Sequence, residues 1–210
     1  LTSGVSAFYY PTSGTKAIYV EVFGAGGGGG GARGSLTAGY ASLGGAGGGG
    51  GYAATLITDM DQIFSYTVGV GGSAGTGTAH GGTGGTTTFT GSFTGSTVAS
   101  GGLGGLYTLA FNTESVGIAG GGGQGVTGDF LLKGSTGVNS FFNGLNLPIY
   151  SVTGCAPFLG GNQSNKTANS VGANGSNYGS GGEGGFSQDS PTTRNGGAGA
   201  GGLIIVTEYF

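Results

Sequence analysis

The chain has 210 residues, of which 58 are glycine and only 6% are charged, with a formal net charge of −3. That much glycine excludes a helical or α/β enzyme, because each glycine in a helix interior costs roughly 1 kcal/mol relative to alanine. The basic residues Lys16, Arg33, Lys133, Lys166 and Arg194 are scattered, which removes nucleic acid and membrane surfaces from the expected partners.

Glycine-rich low complexity ordinarily means disorder. Here 10 Tyr, 12 Phe and runs such as LIIVTEYF point instead to ordered β-structure. The expected class is all-β, with glycine runs forming a lattice or sandwich and little or no α-helix.

Residues 1–16 (LTSGVSAFYYPTSGTK) lack the charged start and long apolar stretch of a signal peptide and read as a lead-in; residues 17–210 read as one domain. Its first element is a strand at 17–23, AIYVEVF, by alternation and β-branching. The continuation YVEVFGAGGGGGG (19–31) matches the start of a dinucleotide fingerprint. That fingerprint needs a helix at its last glycine and an acidic residue about twenty positions on. Glycine continues where the helix should begin, and position 44 is itself glycine, so no cofactor is expected.

Further strands are expected at 52–57, 64–70, 86–90, 97–100 and 202–210, with the first and last pairing to close the domain. Asp59 and Asp61 between two of them supply too few oxygens for a cation and suit a turn. The apolar run 203–206 is too short to span a bilayer.

Glycine falls in blocks at 24–34, 44–51, 69–85, 101–105, 117–128, 179–185 and 196–202. Their spacing is irregular, which excludes a strict solenoid, and with four prolines the chain is not collagen. A glycine run can form a polyproline-II-like helix whose N–H and C=O groups need partners on neighbouring runs. Side-by-side blocks would then build an interior of backbone, with the segments between them as loops gathered at the rod ends. Those segments are 32–43, 73–80, 106–116, 129–159, 162–178 and 186–195.

Chemistry is sparse. His80 is the sole histidine and reads as a loop residue; Cys155 is the sole cysteine, so no intrachain disulfide forms and the thiol reads as a small buried hydrophobe. The acids are unclustered, and no catalytic or metal residues are expected. Sugar binding needs flat aromatics beside amide and hydroxyl groups, and the loops carry both. The candidate receptor-binding residues are Tyr107, Phe111 and Asn112; Phe141, Phe142, Asn143, Asn146 and Tyr150; and Asn174, Asn177 and Tyr178. Phe130, Phe141 and Phe142 also suit a small loop core. Asn-x-Ser/Thr triplets at Asn162, Asn165 and Asn174 would accept glycans only in a eukaryotic secretory pathway.

The order of motifs PTSGTKAIYVEVFGAGGGGGG, GGAGGGGGYAATL, FSYTVGVGGSAGTG, GGTTTF and GGAGAGGLIIVTEY, spanning 12–209, resembles the glycine-rich distal tip domain of phage tail fibres and of phage-derived bacterial fibres. The resemblance implies stacked polyglycine-II helices, an upstream fibre shaft before residue 17, and variable loops that recognise an outer-membrane protein or surface sugar. It places the chain at a virion fibre tip or on a bacterial surface or periplasmic fibre. It also implies a homotrimer or a single chain capping a trimeric fibre. This chain departs from the T-even-like adhesins in its long, glycine-poorer 129–159 segment and in its terminal strands. The expected function is a non-enzymatic adhesin for a bacterial surface glycan, with an outer-membrane protein as the alternative receptor and ice binding, which needs ordered threonine rows, as a more distant one.

Overall fold

A computed structural model describes residues 1–110, 115–142, 149–152, 163–166 and 169–210. Short strands alternate with glycine runs, and no helix occurs among the described residues. The strands are β1 (Ala7–Tyr9), β2 (Ala17–Phe23), β3 (Ala41–Leu43), β4 (Tyr52–Ile57), β5 (Phe64–Thr67), β6 (Thr87–Gly91), β7 (Gly95–Ala99) and β8 (Ser115–Gly117). They continue as β9 (Gly125–Thr127), β10 (Phe130–Leu132), β11 (Ser140–Phe142), β12 (Ile149–Val152), β13 (Gln163–Lys166), β14 (Phe186–Gln188) and β15 (Leu203–Tyr209).

Two antiparallel sheets, β1-β5-β6-β7-β9 and β10-β4-β2-β15, face each other at one end of the molecule. Alternation in β2 sends Ile18, Val20 and Val22 into the space between them, where they meet Phe64, Phe89 and Ile204, as the period of two requires. First and last long strands pair from Ala17↔Tyr209 to Phe23↔Leu203, as expected. Asp59 caps its own turn by accepting from Asp61 N at 3.1 Å. Within residues 1–16, β1 adds an edge strand to this sandwich. β1 pairs with β5, the Leu1 amino group donates to Ile204 O at 2.7 Å, and Tyr9 Oη donates to Glu208 at 2.5 Å. Hydrogen bonds from the Thr12 side chain and the Tyr9 phenol hold the Glu208 carboxyl below the ordinary carboxylate range.

Beyond the sandwich the interior is backbone. Residues 22–32 and 41–54 are buried without a break, and their polar groups bond across from run to run. We number these extended runs as rods: 1 (24–31), 2 (44–51), 3 (69–75), 4 (79–85), 5 (101–106), 6 (118–123), 7 (134–137), 8 (172–175), 9 (179–185) and 10 (195–202). In rod 1 every third residue addresses the same neighbour. Gly24, Gly27 and Gly30 donate to Gly51, Gly48 and Gly45 of rod 2. Ala25, Gly28 and Gly31 donate to Gly85, Gly82 and Ala79 of rod 4, and Gly26 and Gly29 to Ala200 and Gly197 of rod 10. Its carbonyls accept with the same period, from Gly102 and Gly105 of rod 5, Gly72 and Gly75 of rod 3, and Gly182 and Gly185 of rod 9.

Those six neighbours bond to one another in the order 2, 5, 4, 3, 10, 9 and back to 2, so rod 1 is the axis of a closed ring. Rod 6 lies outside rods 2 and 5, rod 7 outside rods 6 and 2, and rod 8 outside rods 9 and 10. Rods that donate to each other's faces alternate in direction around the ring. The alternation sorts the connections. Strands β4 and β5, β6 and β7, and β9 and β10 all join rods at the sandwich end, while 32–43, 76–78, 107–110, 115–117, 138–142, 169–171 and 186–194 lie at the other.

Three details differ from the sequence expectation. Block 69–85 is two rods, folded back at Gly77, whose φ of 54° suits a tight turn. Rods 7 and 8 lie inside segments expected to be loops, because GSTG and GANG offer enough backbone to join the lattice. The strand expected at 64–70 stops at Thr67, where Val68 leads into rod 3.

Packing this close depends on missing Cβ atoms. A Cβ on Gly28 would overlap the Ser73 carbonyl, and one on Gly44 the Gly30 carbonyl, both immovable backbone. At the outer position Gly121 the nearest atom to a Cβ would be Leu103 Cδ1 at 3.5 Å, an ordinary contact. We expect Gly28→Ala to destabilise by about 3 kcal/mol or more, the upper range for overpacking. Gly121→Ala should be neutral or stabilise by up to about 1 kcal/mol through the unfolded state. Denaturant midpoints for the two variants check both.

On the outer face of the four-stranded sheet, buried Tyr52 donates to Glu21 Oε1 at 2.9 Å. Desolvation, then the bond to Glu21, pushes its phenol well above its ordinary value, and burial beside Glu208 does the same to Tyr9. A raised folded-state value stabilises fully below the unfolded value of about 10 and is lost as pH rises above it. Thermal stability should therefore fall above about pH 10. Tyr52→Phe should start lower at neutral pH and decline less steeply, as melting curves across pH 8–12 would show.

Candidate functional site

The end opposite the sandwich is where side chains replace glycine. Its floor is a small apolar cap of Ala41, Leu43 and Phe186, made where β3 pairs with β14. Rod 5 ends beside it, and Thr108 ties the two together: its Oγ1 donates to Leu43 O at 2.5 Å and accepts from Leu43 N at 3.0 Å. Ser42 Oγ donates to Thr108 O at 2.6 Å and accepts from Arg33 N at 2.9 Å. Ala32, at the tip of the axial rod, bridges both Thr108 and Arg194. The first loop thus stands on the lattice through ordered polar contacts.

Tyr107 precedes Thr108 at the end of rod 5. Its N–H donates to His80 Nδ1 at 3.1 Å, which fixes the neutral imidazole as the tautomer protonated on Nε2. The two rings are 5.0 Å apart between centroids and inclined by 45°. Together they form an aromatic pair across the ends of rods 4 and 5. Beside it, Arg33, Gly34, Ser35, Tyr40, Leu109 and Ala110 line a groove of about 380 Å³. A second groove of about 450 Å³, with Thr136, Val138, Asn139 and Phe141 among its lining, runs along rods 6 and 7. Asparagine and aspartate brace the loops: Asn195 Oδ1 accepts from Gly77 N at 3.1 Å, Asp189 Oδ1 from Gly39 N at 2.6 Å, and Asn139 Oδ1 from Ala119 N at 2.9 Å.

The expected site residues do not form one cluster. Tyr107 pairs with His80 at the end of rod 5, and Phe141 is 56% exposed on β11 and lines the second groove. Phe142 ends β11 and Tyr150 lies on β12, paired with Asn165. Phe111, Asn112, Asn143 and Asn146 lie outside the described residues, as does Cys155. Asn174, Asn177 and Tyr178 sit on rod 8 and on the turn into rod 9, toward the sandwich. There Asn174 Oδ1 accepts from Ala198 N at 2.9 Å, and the Asn177 backbone carbonyl accepts from Ser180 Oγ at 2.6 Å, so the Asn174 side chain and the Asn177 backbone brace the lattice. Tyr178 remains 42% exposed. At about 3.1 Å per extended residue, rods of this length hold the two ends roughly 20 Å apart.

Sequence reasoning passed over Arg33, Tyr40 and Leu109; the first two share a segment that four rods separate from Leu109, and the three carry no shared motif. The pairing of His80 with Tyr107 was equally hidden, although the lone histidine beside a glycine block was a visible signal. No group of three His, Cys, Asp or Glu able to hold a metal occurs among the described residues.

Thr108→Val keeps the shape and removes both hydroxyl bonds, leaving Leu43 N without its partner. It should cost about 1–3 kcal/mol, with hydrogen exchange accelerating in 33–43 and not in the sandwich.

A comparison with curated proteins finds no match. The profile of the glycine-rich domain family matches residues 2–209, from the strand-bearing start through every rod to β15, and the chain therefore belongs to the glycine-rich domain family.

Proposed function

We propose that the protein is a non-enzymatic fibre-tip adhesin that recognises a bacterial surface glycan through the end of the lattice opposite the sandwich. The observation that carries this reading is the sorting of connections: the two large sheets occupy one rod end, and most of the side-chain-rich connections, with only two-stranded pairings, the other. Such a frame holds variable loops at fixed spacing on a rigid base. In this reading the rods are polyglycine-II helices, supported by hydrogen-bond partners that repeat every third residue, the period of a three-residue turn. Both termini lie at the sandwich, where Leu1 bonds Ile204, which suits attachment to an upstream fibre there with the loops distal. The setting would be a virion tail fibre or a bacterial surface fibre.

Of the two assembly expectations, the single chain capping a fibre is favoured over a homotrimer, because the ring around rod 1 closes within one chain and borrows no rod. For ice binding, the outer face of the five-stranded sheet aligns Ser65, Thr90 and Ser96, with a 2.8 Å contact between Thr90 and Ser96 hydroxyls. The next row, Thr67, Thr88 and Thr127, is broken by Val98, so the regular array that reading requires is missing there.

Tyr107→Ala should lower glycan-array binding by about tenfold, since a lost aromatic contact is worth roughly 1 kcal/mol or slightly more, while Tyr178→Ala leaves it unchanged. The reverse pattern would move the site to the rod 8 turn. Binding to whole cells that disappears after protease treatment, with a silent array, would select an outer-membrane protein as receptor.

A further inference from the structure

The groove at the tip of the axial rod has a chemistry of its own. Arg33 follows Ala32 directly, is exposed, and lines the groove with Ser35, Tyr40 and Leu109. The backbone carrying these groups is held at several points. Arg33 N donates to Ser42 Oγ at 2.9 Å, Ser35 N to Ser190 O at 2.7 Å, and Tyr40 N to Thr37 O at 3.2 Å. Ala32 exchanges both of its backbone bonds with Arg194, at 2.7 and 2.9 Å. Gly34 packs so closely on Pro191 that a Cβ there would overlap its carbonyl. A ligand therefore meets walls that are already ordered and spends little of its binding energy on arranging them.

Charge is distributed unevenly around this groove. Glu21, Asp59, Asp61, Asp129 and Glu208 belong to the sandwich end, together with Lys16 and Lys133, whereas Arg33 and Arg194 stand at the loop end with Asp189, and Glu183 lies buried on rod 9. The loop end is thus less acidic than the sandwich end, and Arg33 is an exposed cation on the groove wall. Asp189, whose N–H donates to Tyr40 O at 3.1 Å, has its Oδ1 engaged by Gly39 N at 2.6 Å. Ser35 Oγ accepts from Thr37 N at 3.2 Å and keeps its own proton to donate.

We propose that this groove binds a carboxylated sugar, its carboxylate on the Arg33 guanidinium and its apolar ring face over Tyr40 and Leu109. The inference rests on the glycan reading and deepens it by naming the ligand class. A guanidinium offers two parallel donors matched to the two carboxylate oxygens, and an aromatic beside an aliphatic side chain suits the C–H face of a pyranose. The Ser35 hydroxyl is placed to donate to a ring oxygen or hydroxyl.

The test titrates intact protein with trigalacturonic acid and its methyl ester, and with 3′-sialyllactose and lactose, which separates uronic from sialic acids. The expected result is that at least one acid binds about tenfold or more tightly than its neutral counterpart, and that added salt narrows the difference. Arg33→Gln, an exposed position whose circular dichroism should be unchanged, should lose about ten- to hundredfold for the acid, the worth of a charged hydrogen bond, and little for the neutral sugar. Arg33→Lys keeps the charge without the fork and should fall between. Equal binding of acid and ester, or an acid preference that survives in Arg33→Gln, overturns this proposal and leaves the glycan reading standing. Failure to bind any sugar on a broad array overturns both.

Discussion

The molecule depends on how near one backbone can approach another. Rod 1 exchanges hydrogen bonds with six neighbours, and that coordination is available only where no side chain separates the chains. The cost is the conformational entropy of glycine, the largest of any residue. It is offset by satisfying nearly every buried amide, since an unpaired one would forfeit about 1–3 kcal/mol. Such a lattice is cooperative by construction: remove one rod of the ring and its neighbours, rod 1 included, lose partners together.

A backbone lattice has little apolar surface to seal its ends, and the chain closes them in two different ways. At one end a sandwich with a true hydrophobic core, built on Ile18, Val20, Val22, Phe64, Phe89 and Ile204, absorbs the termini. At the other, a small cap of Ala41, Leu43 and Phe186 suffices because polar side chains take over. Thr108, Ser42, Asn195 and Asp189 bond loop backbone directly to rod ends. That division leaves one end to stability and the other free to vary in side chains, which is what a recognition surface needs. The aromatic pair His80–Tyr107 and the Arg33 groove both stand on the second end.

Much of the scaffold was legible beforehand, and the reasons are local. The strands at 17–23 and 52–57 were readable because period-two burial imprints itself on adjacent residues. Long glycine blocks announced rods because no other element tolerates them. The short rods 7 and 8 were not readable: GSTG and GANG look like loop sequence, and they become rods only because rods 6, 9 and 10 present unfilled bonding faces. Residues 7–9 likewise became a strand because the edge of β5 was open to them.

The site was less legible than the frame. Aromatic and amide content selected Tyr107, at the end of rod 5, and also Asn174 and Asn177, where the Asn174 side chain and the Asn177 backbone carbonyl are engaged in bracing the lattice. Composition by itself pointed to an all-β chain whose interior is largely backbone. Only the tertiary structure decided which loops share an end and that Arg33, Tyr40 and Leu109 face one groove. The physical reason is direction. Whether a connection emerges at one end or the other depends on the alternation of rods around the axis, and that alternation is set by hydrogen bonds between segments far apart in the chain.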